Sequence, residues 1–320
     1  DLIRSTAWTD ESAGAPGYAR PWSDPHDPAF AAKILAITQK ILDHNLESCK
    51  LLRALAEGRA ITIPAAAGKT RPTAGRKTYS RERVPVKANI YYVVGNHDWF
   101  YHLKVPGLDP ARQKVIAALG LKNTAAQFPY LPLELPALAS AFQAHRFFGR
   151  HGDHLDPFNY EKKLGRDHAT LGDALVVELF NKIPLRVQEK LGSQLPPEVL
   201  QDLNELGSVR PNVMVPVWIA NSLEKHQIPA GMRGKITKIW QELLKEFLQC
   251  DFLKQKDTAY PLQTVDLLQA LAGILMHISL DDLNWIAHYL DEVQKLAKPL
   301  LGSSELGYEK AAMKELAAKP

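Results

Sequence analysis

The chain has 320 residues, of which 46% are hydrophobic and 23% charged, with 22 prolines, two cysteines and a formal net charge of +4. That is globular composition with length for about two domains at ~150 residues each, and it excludes a collagen, a wholly disordered chain or a disulfide scaffold. No run reaches the ~18 consecutive apolar residues of a membrane helix, and a charge of +4 is too small to imply nucleic acid by itself.

Residues 5–28 hold Trp8, Trp22 and the string Ser23-Asp24-Pro25-His26-Asp27-Pro28, which reads as an irregular loop ending in a helix start. The two tryptophans are expected to pack beneath it. From Pro28 the apolar positions Phe30, Ile34, Leu35, Ile37, Ile41, Leu42, Leu46 and Leu51 keep helical spacing, predicting one long amphipathic helix to about residue 56. Ile61-Thr62-Ile63 is strand-like and Pro64 stops it. Between Gly68 and Lys87, seven Lys and Arg face the single acid Glu82 without apolar periodicity, which reads as a solvated loop able to attract phosphate or nucleic acid.

Asn89-Ile90-Tyr91-Tyr92-Val93-Val94 is β-branched and aromatic, predicting a short buried strand that runs into Gly95-Asn96-His97-Asp98. A helix is expected from Asp109-Pro110 through Leu119, stopping at Gly120. His145-Arg146-Phe147-Phe148 reads as a second strand, feeding the polar loop Gly149–Asp156. A helix from about Leu171 to Phe180 follows. Beyond Pro184 the pattern is helical: Ile236, Ile239, Trp240, Leu243, Leu244, Phe247 and Leu248 fit one face, and Ser279 opens another helix bearing Leu283, Ile286, Leu290, Val293 and Leu296. This predicts an α/β part over residues 1–183 and a helical part over 184–320. Cys49 and Cys250, far apart, read as thiols of a reducing compartment, which points to the cytoplasm.

A strand that delivers polar residues from its C-terminal end into a loop is the usual layout of an α/β active site. In Gly95-Asn96-His97-Asp98, Asn supplies a neutral amide oxygen, His a proton donor or imidazole ligand, and Asp a carboxylate able to fix a neighbouring tautomer. His102 follows this loop and is a candidate to line a cleft. Asp156, Asn159, Arg166, Asp167, His168 and Asp173 after the second loop read mostly as loop and cap residues, one of which could touch substrate.

On these residues the chain resembles the calcineurin-like metallophosphoesterase superfamily, whose blocks run D-x-H, G-D-x-x-D, G-N-H-[DE], an isolated His and G-H-x-H. Gly95–Asp98 matches the third block, and His151 in His151-Gly152-Asp153 the fourth. The resemblance covers roughly residues 87–160. It implies a two-sheet α/β sandwich, here incomplete, with a large helical insertion or cap. It implies Asn96 and His151 as ligands in a centre of two divalent ions (Mn, Fe or Zn), His97 facing the scissile phosphate, and Asp98 orienting His97. Asp153 would stand behind the metal site. The implied activity is hydrolysis of a phosphomonoester or phosphodiester by a metal-bridging hydroxide.

The chain departs from the family at both ends. No two of its eleven histidines are two residues apart, so G-H-x-H is absent, and Asp24-Pro25-His26 lacks a preceding strand. The expectation is a chain truncated at both ends, with Asp1 as the last acid of a G-D-x-x-D block or, alternatively, as the bridging Asp itself. The other reading is a degenerate, non-catalytic domain whose helical segment serves as a scaffold or partner-binding surface.

Overall fold

The computed structural model describes Trp8, residues 17–65, 82–126, 128–155, 159–161, 164–209 and 214–256, and the single positions Leu280, Ile286, His288, Tyr289 and Asp291. Asp1, the segment 66–81 with most of the basic loop, Asp156 and nearly all of the helix expected after Ser279 lie outside the described residues. The chain divides into two compact units. One holds the described residues from 17 to 153 with 164–168; the other holds Trp8, His154, Leu155, 159–161 and the described residues from Ala169 on.

In the first unit, Asp27 caps α1 (Pro28–His44) by accepting the Ala29 N–H at 2.8 Å, with Pro28 in the first turn where no N–H is needed. The single long helix predicted to residue 56 is two. Asn45 turns its Nδ2 and its backbone N–H onto the Ile41 carbonyl, at 2.9 and 3.0 Å, ending α1 before α2 (Leu46–Ala56) begins. This follows from the readiness of Asn side chains to bond nearby backbone.

The strand expected around residue 62 is present as β1 (Thr62–Pro64), but it pairs with β2 (Arg83–Pro85) in a two-stranded antiparallel sheet, with Ile63 opposite Val84. The end of the basic segment is therefore a strand, fixed further by Arg83 Nε donating to Thr62 Oγ1 at 3.1 Å. α3 (Asp109–Leu119) ends as expected at Gly120, whose φ of 68° is left-handed and whose missing Cβ would meet Ala56 Cβ at 3.0 Å.

Neither predicted strand near the candidate site joins a sheet. Residues 90–94 are held by a loop: Tyr92 N–H donates to Asn123 Oδ1 at 2.7 Å, Asn123 Nδ2 returns to the Tyr92 carbonyl at 2.8 Å, and Val94 N–H reaches the Pro129 carbonyl at 3.0 Å. The side-chain amide stands in for one ladder rung, and Pro129, lacking an N–H, cannot extend another. His145–Phe148 is corrected more fully. α4 (Pro136–His145) runs through an Ala-rich stretch of high helix propensity, Arg146 closes it at φ 50°, and Phe147 projects outward, 60% exposed. The described residues are thus mostly helical, with the β1–β2 pair as their only sheet.

The described residues of the second unit are mostly helical, in keeping with the expectation for the region after Pro184. α5 (Leu171–Leu175) opens on a reciprocal cap between Thr170 and Asp173 and passes into a wider π turn over Val176–Phe180. There follow α6 (Lys182–Leu191), α7 (Pro197–Asn204), α8 (Val215–Lys225), α9 (Ala230–Leu248) and α10 (Asp251–Lys256). Pro184 lies inside α6. Ile236, Ile239, Trp240, Leu243, Leu244 and Phe247 form the buried stripe of α9 as predicted, Leu248 at its end is only partly buried, and α6 packs on α7 and α9. No helix among the described residues is long and apolar enough to cross a membrane. Cys49 and Cys250 are free thiols.

Candidate functional site

The Gly95–Asp98 turn is closed by its own last residue. Asp98 is fully buried; its Oδ1 accepts the Gly95 N–H at 2.6 Å and its Oδ2 the Tyr92 hydroxyl. Its carbonyl then accepts the Tyr101 N–H at 3.0 Å, starting the 3-10 turn Trp99–His102. Asn96 is buried and His97 partly so. Behind the turn, Tyr101 meets Phe100, Phe128 and Tyr92 with ring centres 5.2, 5.6 and 6.3 Å away, and its hydroxyl bonds buried Thr38 on α1 at 2.5 Å. Burial pushes the Tyr101 hydroxyl well above the usual tyrosine range, so it remains a neutral partner for Thr38.

Below the turn lies Arg112, a residue that the sequence reading passed over. Its guanidinium is wholly buried on α3 and its donors are used on backbone. Nη1 donates to the carbonyls of Tyr101 and Leu103 at 3.0 and 2.9 Å, Nη2 to Val105 at 3.0 Å, and Nε to Ala125 at 2.6 Å. Asp109 Oδ1 supplies the compensating charge, 2.6 Å from Nη2. The signal available in the sequence was an arginine amid the stripe Leu108, Ala111, Val115 and Leu119, a place where an unpaired cation could not be buried.

A second polar cluster forms around Tyr130. Its hydroxyl donates to Asp153 Oδ1 at 3.3 Å, and the Arg166 guanidinium lies over its ring at 4.0 Å while Nη2 forms an ion pair with Asp153 Oδ2. That ion pair is close in distance but lies outside aligned hydrogen-bond geometry. His151 Nδ1 approaches Asp153 Oδ1 at 3.5 Å, a long contact. Burial raises the Asp153 carboxyl, but the pull of His151 and the charge of Arg166 outweigh it and hold the group below the usual range. Tyr130 is pushed up, by burial first, against the opposing pull of Arg166. Asp153 is thus an anion standing beside His151. His102, on the turn after Asp98, joins the cluster through its ring, 6.4 Å from that of Tyr130.

Other sequence candidates have local duties. Asp24 Oδ1 accepts the His26 N–H at 2.9 Å in an exposed turn, and Asp173 is the cap partner of Thr170. Among the described residues no three His, Cys, Asp or Glu gather as a metal site. Asn96 and His151 offer an amide oxygen and an imidazole, donors that suit Mn, Fe or Zn, but two neutral donors are only part of a binuclear ligand set. No protein-family model, curated protein or solved structure matches the chain.

Proposed function

We propose that this chain belongs to a metal-dependent phosphoesterase of the calcineurin-like kind, with the two-sheet sandwich of that family as its parent fold and a helical cap. The observation that carries the reading is the Gly95–Asp98 turn, in which a fully buried carboxylate accepts the Gly95 N–H and the Tyr92 hydroxyl and so fixes the backbone that displays Asn96 and His97. A rigid display of this kind is what a site needs to hold a reacting group in place.

In this reading Asn96 and His151 are two of the ligands of a pair of divalent ions. When bound, such ions supply Lewis acidity and a hydroxide at neutral pH. The chain's own residues do the rest. His97 faces the phosphoryl group, stabilising negative charge or giving a proton to the leaving oxygen, and Asp98 sets its orientation. Asp153, kept anionic by His151 and Arg166, stands behind His151 and favours the tautomer with hydrogen on Nδ1, leaving Nε2 for a metal. The substrate is a phosphomonoester or phosphodiester, and the two free thiols accord with a reducing, cytoplasmic setting.

The test is hydrolysis of p-nitrophenyl phosphate and bis-p-nitrophenyl phosphate by the full gene product, first stripped with chelator and then given Mn, Fe or Zn. Turnover that vanishes on stripping and returns with metal is the expected result. Absence of both turnover and metal binding would instead assign the chain to the non-catalytic reading, a scaffold or partner-binding domain.

A further inference from the structure

His102 is fixed more firmly than a residue merely filling space would require. The carbonyls on either side of it, of Tyr101 and Leu103, both accept from Arg112 Nη1, at 3.0 and 2.9 Å. Its ring Nδ1 lies 2.8 Å from the Phe128 carbonyl, and the Phe128 N–H in turn donates to the Tyr101 carbonyl at 3.1 Å. A carbonyl can only accept, so Nδ1 carries the hydrogen. All further chemistry of the imidazole is therefore that of Nε2. This atom points to the half-exposed carboxylate of Asp167, 3.8 Å away, and the side chain is 16% exposed.

Position links this imidazole to the candidate site twice. Along the chain it is the last residue of the turn that Asp98 initiates. Across space its ring borders Tyr130, whose hydroxyl donates to Asp153, the carboxylate beside His151. The guanidinium of Arg166 over Tyr130 adds a cation to the same cluster.

We infer that His102 is a substrate-contacting residue of the site, its Nε2 donating to an oxygen of the phosphate ester in place of its 3.8 Å contact with the Asp167 carboxylate. The inference rests on the phosphoesterase reading. Nδ1 is already bonded to the Phe128 carbonyl, so the contact uses the hydrogen that the doubly protonated ring carries on Nε2. Because the contact is made to substrate and transition state alike, it sets KM and leaves kcat nearly unchanged.

Two replacements separate this from a structural role. In His102→Asn the amide takes the place of Nδ1 and keeps the bond to Phe128; in His102→Gln it takes the place of Nε2. For the metal-loaded full gene product acting on p-nitrophenyl phosphate, H102N is expected to raise KM and the inhibition constant of inorganic phosphate about tenfold or more, the scale of a lost charge-assisted hydrogen bond. H102Q recovers most of that loss. The opposite order, with H102N like the parent and H102Q impaired, overturns the inference. As a second measurement, nitrogen NMR of the His102 ring during titration with inorganic phosphate should move the Nε2 resonance and leave Nδ1 in place; an unmoved Nε2 also overturns it. A parent protein that neither hydrolyses the ester nor binds phosphate overturns the phosphoesterase reading itself and this inference with it, whereas normal parent activity with an unaffected H102N removes His102 alone.

Discussion

Asp98 accepts the backbone N–H of Gly95 at 2.6 Å, so the first and last residues of the Gly-Asn-His-Asp turn are tied to each other. The tie makes the local conformation depend on one fully buried carboxylate and on the Tyr92 hydroxyl that donates to its other oxygen. Replacing Tyr92 by Phe removes that donor while keeping the ring packed against Phe128. We expect a loss of about 1–3 kcal/mol, the cost of leaving a buried polar atom without its partner. Asp98→Asn should cost a similar amount, because one of its two donors would then face an NH₂ group. Urea unfolding of the two variants and the parent checks both values.

Arg112 offers a sharper contrast. Its guanidinium serves four carbonyls and the Asp109 carboxylate in a site closed to water. Arg112→Met would strand those acceptors, and Arg112→Lys would keep the charge but lose the planar fork that reaches several of them at once. Losses of about 3–5 kcal/mol are expected for Met and somewhat less for Lys. Thermal unfolding measures the difference; equal stability of Arg112→Met and the parent would mean that the clamp contributes little.

In the helical unit Asp202 gathers Ser222 Oγ at 2.7 Å, His226 Nε2 at 3.0 Å and Lys225 Nζ at 3.5 Å, joining α7 to α8. The Ser222 hydrogen bond is the main cause holding the Asp202 carboxyl below its usual range, with His226 and Lys225 adding to it. A carboxyl lowered on folding contributes stability that is fully present above its unfolded value, about 3.9, and is lost as the pH falls through its lower folded value. Ser222→Ala should therefore be less stable than the parent at pH 7, and the gap should narrow as the pH drops below about 4. Urea midpoints at pH 7 and pH 3 test the sign, and a gap that widens in acid would refute it.

Helices were readable where apolar spacing was regular. The α9 stripe from Ile236 to Phe247 and the Gly120 stop of α3 are set by local pattern and by one left-handed residue, both visible in the chain. Strands near the site were not, because Asn89–Val94 has the composition of a strand but takes its hydrogen bonds from Asn123 and Pro129, loop residues whose approach no local pattern encodes. The site divides in the same way. The Gly95–Asp98 turn and the His151–Asp153 neighbours are short-range and could be named in advance. Apart from the Arg112–Asp109 pair, Arg112, Tyr130 and Arg166 act on groups from 7 to 36 residues away, and these roles emerge only once the chain has folded.

Of all these expectations, the separate duties of Asn96 and His97 bear most directly on the reading of the turn. In the full gene product loaded with Mn or Zn, Asn96→Ala should lose bound metal and turnover together. His97→Ala should keep its metal while kcat on bis-p-nitrophenyl phosphate or p-nitrophenyl phosphate falls about 10²–10⁴-fold, the usual share of a general acid. Metal content and kcat measured side by side for the parent and both variants give the answer. A His97→Ala protein that turns over at the parent rate, or an Asn96→Ala protein that holds its metal as tightly as the parent, would contradict the assignment of this turn as the catalytic centre.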